Sequence, residues 1–235
     1  MLVNFEGVPD FREGRLILIN KALHWTSFDV VNKIRFMLQR RAGLEGLKVG
    51  HAGTLDPLAT GLMMILTGKG TKQIEQFQAF DKEYETLVEF GKTTPSFDLE
   101  TAFDGEYPTE HITESLIREA LKGFEGITDQ VPPVHSAKMI NGKRAYSYAR
   151  KGKEVEMKVQ QVRIEHIELL EFTAPVARVR VVCSKGTYIR SLARDIGLAC
   201  KSGAYMKGLI RTSIGHYTLK EALTIEEFEK KIKEL

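Results

Sequence analysis

Apolar and polar residues alternate along three segments of this chain, as they do in half-buried β-strands. The segments are residues 83–91, 162–172 and 176–184, and residues 15–20 form a shorter apolar strand. Pro175 lies between the last two alternating segments, where it predicts a turn. These four segments predict a sheet whose strands are largely antiparallel.

Helical spacing of apolar residues distinguishes the other regular segments. Ser27 is a favoured N-cap residue, and Thr113 caps a second predicted helix that Gly123 closes. The apolar residues after Ser27 recur at helical spacing: Val30, Val31, Ile34, Met37 and Leu38. Residues 188–200 and 224–235 predict two more helices. The sequence therefore predicts an α/β (α+β) fold, in which helices flank a mixed, largely antiparallel sheet.

The composition is that of an ordinary globular protein, with 43% hydrophobic and 28% charged residues among 235. No segment approaches the roughly 20 apolar residues that a membrane-spanning helix needs, and the N-terminus resembles no signal peptide. We therefore expect a cytoplasmic protein. Cys183 and Cys200 are far apart and the six histidines show no ligand spacing, so we expect neither a disulfide framework nor a metal site.

Charge is distributed unevenly, although the net charge is only +3. Residues 83–129 contain twelve acidic and three basic residues, whereas residues 138–158 contain seven basic and two acidic residues. Residues 185–211 contain six basic residues and one acidic residue. Such basic segments attract phosphates, and unpaired bases could stack on the tyrosines within them, which are Tyr146, Tyr148, Tyr188 and Tyr205. Solvated surface charge explains either segment equally well.

Residues 49–61 form the most distinctive loop, with the sequence Val-Gly-His-Ala-Gly-Thr-Leu-Asp-Pro-Leu-Ala-Thr-Gly. Its glycines allow backbone angles and close contacts that a side chain would prevent. Pro57 restricts Asp56 to an extended conformation and so limits where its carboxylate can point. From the spacing alone, turn chemistry is the better interpretation of an Asp-Pro pair between glycines.

Further motifs change that interpretation. The loop continues through an apolar run at residues 62–66 into Gly68-Lys-Gly-Thr-Lys72, and Lys82-Glu-Tyr84 follows. Cys183-Ser-Lys-Gly-Thr-Tyr188-Ile-Arg190 forms another motif without a gap. Together with the loop, these motifs resemble the TruB family of tRNA pseudouridine synthases, over nearly the whole chain. The resemblance implies the α/β fold of those enzymes.

Two motifs depart from the family pattern. Where the family has proline and glycine in its first motif, this chain has Ala22 and His24. In the segment that resembles the family's RNA-gripping region, Met139 stands at the usual lysine position and Lys138 stands one place earlier. We expect residues 1–235 to form one catalytic domain with an RNA-gripping insertion around residues 131–158. We expect no separate C-terminal domain of the PUA type, which many family members carry.

The resemblance implies catalytic roles for three residues. Asp56 is the expected catalytic carboxylate. Arg190 is its expected partner, because a guanidinium favours the ionised carboxylate and orients it through paired hydrogen bonds. Tyr84 is expected to stack on the extruded uracil, and its hydroxyl could also accept the C5 proton.

The resemblance also implies residues that bind the substrate. His51 would help to hold the opened RNA loop, Tyr188 would close the uridine pocket and Leu209 would form an apolar wall. Contacts to the rest of the RNA are expected from Lys21, Lys138, Lys143, Arg144, Arg150 and Lys151. The target uridine lies inside a folded RNA loop, so the enzyme must flip it out at a cost of about a few kcal/mol.

The implied activity is isomerisation of uridine to pseudouridine at position 55, in the T-loop of tRNA. The reaction exchanges one bond to ribose C1′ for another without oxidation, so we expect no cofactor. Attack of Asp56 on the sugar, attack on the base, and removal of a ribose proton to give a glycal remain open. We expect the protein to act as a monomer on the tRNA T-arm.

Two other classes of function compete with this interpretation. A module that binds and refolds tRNA without modifying it would also explain the basic segments. A carboxylate-based hydrolase of sugars or nucleosides would need a second acid near Asp56, and the loop has none. A P-loop at Gly68 is excluded, because Met63 stands where that motif requires glycine.

Overall fold

The computed structural model describes residues 2–3, 5, 9–41, 43–136, 138–140, 142–149 and 155–234. Its strands are β1 (Leu16–Lys21), β2 (Val49–His51), β3 (Ala59–Thr67), β4 (Lys82–Phe90), β5 (Lys92–Thr93), β6 (Gly105–Glu106), β7 (Gly126–Gln130), β8 (Met139–Ile140), β9 (Lys143–Arg144), β10 (Gln160–Thr173), β11 (Val176–Cys183), β12 (Ala204–Ile214) and β13 (Tyr217–Thr218). Its α-helices are α1 (Ser27–Arg41), α2 (Ile74–Gln78), α3 (Glu114–Lys122), α4 (Tyr146–Ala149), α5 (Ile189–Ala199) and α6 (Ile225–Lys233).

The chain divides into two compact units. The first comprises Met1–Glu83 and Ile210–Leu235, and the second comprises Tyr84–Leu209. The first contains β1 to β3, β13, α1, α2 and α6, and the second contains β5 to β11 and α3 to α5; β4 and β12 contribute residues to both. A single catalytic domain stays a prediction.

Strand β3 organises the first unit. β1 runs antiparallel to it, from Leu16 opposite Leu66 to Lys21 opposite Gly61, and β2 is also antiparallel to β3. A buried apolar cluster supports these strands, and its members are Leu16, Leu18, Ala52, Leu62, Met64, Leu66, Phe77 and Ile214. The predicted strand at residues 15–20 is confirmed with a shift of one residue.

Helix α1 is confirmed, but the prediction that Ser27 caps it is wrong. The N–H of Asp29 donates to Thr26 Oγ1 at 3.0 Å, and the N–H of Thr26 donates to the Asp29 carboxylate at 2.9 Å. Thr26 and Asp29 thus exchange the two hydrogen bonds of a capping box. The Ser27 side chain is buried instead and bonds to Leu55, far along the chain.

In the second unit the strand order is β4-β11-β10-β7. β10 and β11 form the predicted hairpin, in which Thr173 pairs with Val176 across the turn that contains Pro175. Every second residue of β4 is buried, so its predicted alternation is confirmed. The alternation of β10 changes phase at a register shift between Ile164 and His166, so its buried residues are Val162, Ile164, Ile167 and Leu169.

The remaining predicted helices are confirmed within one or two residues. The Thr113 hydroxyl accepts a hydrogen bond from the Leu116 N–H at the start of α3, and Thr224 and Glu227 form a capping box at the start of α6. The prediction of a mixed, largely antiparallel sheet flanked by helices is therefore confirmed. Within the described ranges, no helix has the length and apolar character that crossing a membrane requires.

Candidate active site

The Asp56 loop connects β2 to β3 in the first unit. Ala52 N–H donates to the Met64 carbonyl at 3.0 Å, which extends the pairing of β2 with β3 up to the loop. Gly53 has a φ of +114° and Gly61 has a φ of +104°, both in the region that favours glycine. Gly53 at the start of the loop and Gly61 within β3, just after the loop, therefore both tolerate side chains poorly.

Hydrogen bonds fix the backbone on both sides of Asp56. The Leu55 N–H donates to Ser27 Oγ at 2.8 Å, and that hydroxyl donates in turn to the Leu55 carbonyl at 2.9 Å. The Asp56 carbonyl accepts from the Ala59 N–H at 3.0 Å. The Asp56 residue is only half-buried. The loop thus holds its backbone firmly while the Asp56 residue stays partly exposed.

His24 supplies another contact to this loop, since its N–H donates to the Pro57 carbonyl at 2.8 Å. Its φ is +67°, in the left-handed region. The turn therefore has a conformation that favours glycine. Glycine is the family's usual residue at this position, although this chain has histidine.

Lys21 is fully buried beside the Asp56 loop. Its Nζ donates to the carbonyls of Ala22 and Trp25, at 3.0 and 2.7 Å. Burial lowers the pKa of Lys21 from 10.5 to about 8; Asp56 opposes this shift, whereas the charge of Arg211 adds to it. The buried position argues against the predicted contact of Lys21 with RNA and places its charge near Asp56 instead.

His51, at the end of β2, is half-buried. Burial, and after it the charge of Arg211, lower the pKa of His51 below its ordinary value of 6.5. The imidazole is therefore neutral at pH 7, and a neutral ring can stack on or donate to a nucleotide without a charge of its own.

In the second unit, the buried Arg190 pairs with an acid that sequence analysis did not single out. Arg190 Nε lies 3.6 Å from Asp98 Oδ2, and the two side chains are 4% and 2% exposed. Arg190 Nη1 also donates to the Ser96 carbonyl at 3.2 Å. The only sequence signal for Asp98 was its turn-rich segment, which is common in proteins.

The turn that carries Asp98 is held by several hydrogen bonds. Thr94 Oγ1 donates to the Asp98 carbonyl at 2.6 Å, and Asp98 Oδ1 accepts from the Glu100 N–H at 2.9 Å. Phe97 has a φ of +62°, and its carbonyl accepts from the Met206 N–H at 2.9 Å. This network fixes the carboxylate that faces Arg190.

Tyr188 directly precedes α5, and only Ile189 separates it from Arg190 in the chain. Gln130, buried at the end of β7, bonds to both backbone groups of Tyr188: its Oε1 accepts from the N–H at 2.8 Å and its Nε2 donates to the carbonyl at 3.1 Å. The two bonds fix the start of the helix that carries Arg190.

Tyr84 and Leu209 are both 8% exposed, on strands β4 and β12. Thr86 Oγ1 donates to the Gly208 carbonyl at 3.0 Å, so the residues beside Tyr84 and Leu209 are in contact. The two predicted pocket residues therefore lie on neighbouring strands of the second unit.

The predicted RNA-contact residues are described only in part. Lys138 Nζ donates to Gln160 Oε1 at 2.8 Å. Lys143 and Arg144 lie in β9, but their side chains are outside the described part of the structure, and Arg150 and Lys151 lie outside the described residues altogether. In the part of the chain that the structure describes, no three His, Cys, Asp or Glu residues gather to hold a metal ion.

The first unit thus holds a partly exposed aspartate on a loop whose backbone is fixed by hydrogen bonds. The second holds the buried guanidinium of Arg190, the Tyr188 residue before α5, and the buried Tyr84 and Leu209. A fixed carboxylate can act as a nucleophile, a base or an electrostatic stabiliser of an electron-poor sugar.

Comparisons with known proteins identify the class to which this chain belongs. A family model described as TruB family pseudouridylate synthase (N terminal domain) matches residues 39–189. A second, described as tRNA pseudouridylate synthase B C-terminal domain, matches residues 190–234. The chain belongs to the TruB family of pseudouridylate synthases.

Individual relatives carry a more specific name. The chain is 57% identical over 219 residues to tRNA pseudouridine synthase B of Phocaeicola vulgatus, covering 93% of each protein. It is 54% identical over 225 residues to the protein of the same name from Bacteroides thetaiotaomicron, covering 94% of each, and 48% identical over 224 residues to that of Flavobacterium johnsoniae, covering 95% of this chain and 98% of the relative.

Solved structures show the same fold. A chain in a crystal structure of a Cbf5-Nop10-Gar1 complex is 29% identical and has a TM-score of 0.71, and the match covers 94% of this chain and 54% of that one. A chain in an H/ACA RNP bound to a substrate RNA that contains 2′-deoxyuridine is 27% identical, with a TM-score of 0.68 and coverage of 94% and 53%. This chain thus spans about half of each solved chain.

Proposed function

We propose that this protein isomerises uridine to pseudouridine at position 55, in the T-loop of tRNA. Its family and the name shared by its relatives support the reaction and the RNA class. The observation that carries the proposal is the Asp56 loop, because its backbone is bonded on both sides of Asp56 while the residue stays only half-buried. A catalytic carboxylate needs both properties.

The proposed reaction breaks the bond between ribose C1′ and uracil N1 and joins uracil C5 to the same C1′. N1 gains a proton and C5 loses one, so no electrons enter or leave and no cofactor is needed. Asp56 acts in one of three ways: it attacks the electron-poor sugar at C1′, it adds to the uracil ring, or it removes a ribose proton to give a glycal.

The other site residues act on the same nucleotide in this proposed reaction. Tyr84 stacks on the extruded uracil, Tyr188 and Leu209 enclose it, and His51 holds the opened RNA loop. Arg190 orients the Asp56 carboxylate. The buried carboxylate of Asp98, 3.6 Å from Arg190 Nε, would hold the guanidinium in the required position.

The basic segments are proposed to bind the T-arm of tRNA. The side chain of Lys138 is described in the structure. The other residues proposed to contact the RNA are Lys143, Arg144, Arg150 and Lys151. Binding through phosphates predicts a steep loss of tRNA affinity as salt rises. Affinity that barely changes between low and moderate salt would contradict this part of the proposal. We propose a monomer that acts in the cytoplasm, where tRNA is its substrate.

The test uses tRNA that carries tritium at C5 of its uridines, because formation of the new C5–C1′ bond releases that tritium to water. The parental protein should release one tritium per tRNA, and pseudouridine should map to position 55. A tRNA with cytidine at position 55 should release none. Release of free uracil would instead indicate a hydrolase.

The matched variants are Asp56→Asn and Asp129→Asn, since Asp129 is an exposed residue on β7. Asp56→Asn should lose pseudouridine formation by at least about 10⁴-fold, and Asp129→Asn should keep the parental rate. An Asp56→Asn protein that is folded and forms pseudouridine at the parental rate would show that the catalytic assignment is wrong.

A further inference from the structure

Arg211, on β12, directs its whole guanidinium at the backbone of the Asp56 loop. Nε donates to the Leu62 carbonyl at 2.7 Å, Nη2 donates to the Gly53 carbonyl at 3.2 Å, and Nη1 donates to the Thr54 carbonyl at 3.4 Å. The Arg211 residue is 1% exposed. Gly53 and Thr54 precede Asp56 in the chain and Leu62 follows it, so one side chain holds both flanks of the loop.

The backbone of Arg211 lies close to Gly61, which is in β3 just after the loop. A Cβ atom on Gly61 would lie 2.4 Å from the Arg211 carbonyl oxygen and 2.7 Å from its nitrogen. At Gly53, a Cβ atom would lie 3.5 Å from Arg211 Nη1. Gly53 in the loop and Gly61 just after it therefore both face Arg211, which lies on the first-unit segment of β12.

We infer that Arg211 is a positioning residue that fixes the Asp56 loop from both flanks and thereby sets the direction of the Asp56 carboxylate. This inference rests on the proposed function for the catalytic role of Asp56. A guanidinium is suited to the task because it is planar and its donors are fixed in a fork, so it bonds several carbonyls at set angles. Misplacement of a reacting group by about 1 Å can cost about 100-fold in rate.

The charge of Arg211 also affects the pKa values of two titratable side chains near the loop, Lys21 and His51. It contributes to the lowered pKa of Lys21 and to that of His51, as expected for a cation placed among them. Lysine keeps the positive charge but concentrates its donors at one point, so Arg211→Lys separates the geometry of the fork from the charge.

The experiment compares Arg211→Lys with Arg35→Lys under single-turnover conditions, by tritium release from tRNA. Arg35 is a matched control in the same unit, because its Nη2 donates to the Val49 carbonyl at 3.1 Å and its Nη1 donates to Asn32 Oδ1 at 3.2 Å. Arg211→Lys should lower the single-turnover rate by about 100-fold with an unchanged Kd for tRNA. Arg35→Lys should keep both values.

Hydrogen exchange gives a readout that needs no activity. The Leu55 amide donates to Ser27 Oγ and the Ala59 amide donates to the Asp56 carbonyl, so both should exchange faster in Arg211→Lys but not in Arg35→Lys. If the parental protein forms no pseudouridine, the proposed function fails, while exchange still decides whether Arg211 fixes the loop.

Stability is controlled by assaying every variant at a temperature where circular dichroism shows it folded. Arg211→Gln serves as a second variant in case Arg211→Lys does not fold, and it should lose at least as much rate. A folded Arg211→Lys or Arg211→Gln protein with the parental rate and parental exchange at Leu55 and Ala59 would overturn the inference. An equal loss of rate in Arg35→Lys would also overturn it.

Discussion

Gly61→Ala should destabilise the protein more than an ordinary substitution of glycine. The φ of Gly61 is +104°, and a non-glycine residue at positive φ costs roughly 1–2 kcal/mol. The added Cβ would also lie 2.4 Å from the Arg211 carbonyl oxygen, a backbone atom that cannot rotate away. Overpacking of that kind costs about 1–3 kcal/mol, so the free energy of unfolding should fall by about 2–5 kcal/mol.

Gly46→Ala is the matched control, because Gly46 has a φ of +70° and a Cβ there would meet nothing within 4 Å. It should therefore show the conformational cost alone, about 1–2 kcal/mol. Urea denaturation of both variants measures the difference, with tritium release as a second readout of the loop. Equal destabilisation by the two substitutions would refute the proposed close contact between Gly61 and the backbone of Arg211.

Three further predictions follow from buried or strained groups. Asp98→Asn breaks a buried pair with Arg190 and should lower the free energy of unfolding by about 3 kcal/mol, whereas the exposed Asp104→Asn should have little effect; equal urea midpoints would contradict this. The pKa of Lys21 is about 8 in the folded protein and ordinarily 10.5, so the unfolded chain binds more protons between these pH values and stability should rise with pH across that window. Urea denaturation measured across this pH range should show the rise in the parental protein. Lys21→Met, which lacks the amino group, should not show this contribution to the rise. His24→Gly should be neutral or stabilise by about 1 kcal/mol in the same assay, because the φ of His24 is +67°, and a clear loss of stability would show that this turn is not strained.

Local chemistry made part of this fold predictable. Thr113 caps its helix as the sequence predicted, and the apolar alternation of β4 predicted which of its residues are buried. Thr26 and Ser27 are both favoured N-cap residues, and the cap of α1 was wrongly assigned to Ser27. The sequence does not show which of the two hydroxyls bonds to a backbone group far along the chain. In the structure, the Ser27 hydroxyl bonds to the backbone of Leu55.

The candidate site shows the same division. The motifs singled out Asp56, Arg190 and Tyr84, yet they drew no attention to Asp98, which is one of twelve acidic residues in its segment. The family resemblance implied that Lys21 contacts RNA, and lysines are usually exposed. Its burial depends on the carbonyls that surround it, which no pattern of residue types reports.

The sequence by itself determined the family, the order of the main strands and helices, and the loop that carries Asp56, because each depends on residues close together in the chain. Only the tertiary structure decided that Arg211 holds that loop and that Asp98 pairs with Arg190. Both contacts join residues about 90 or more positions apart. Such contacts form when separate segments pack together, so the residue types on either side are compatible with many other partners.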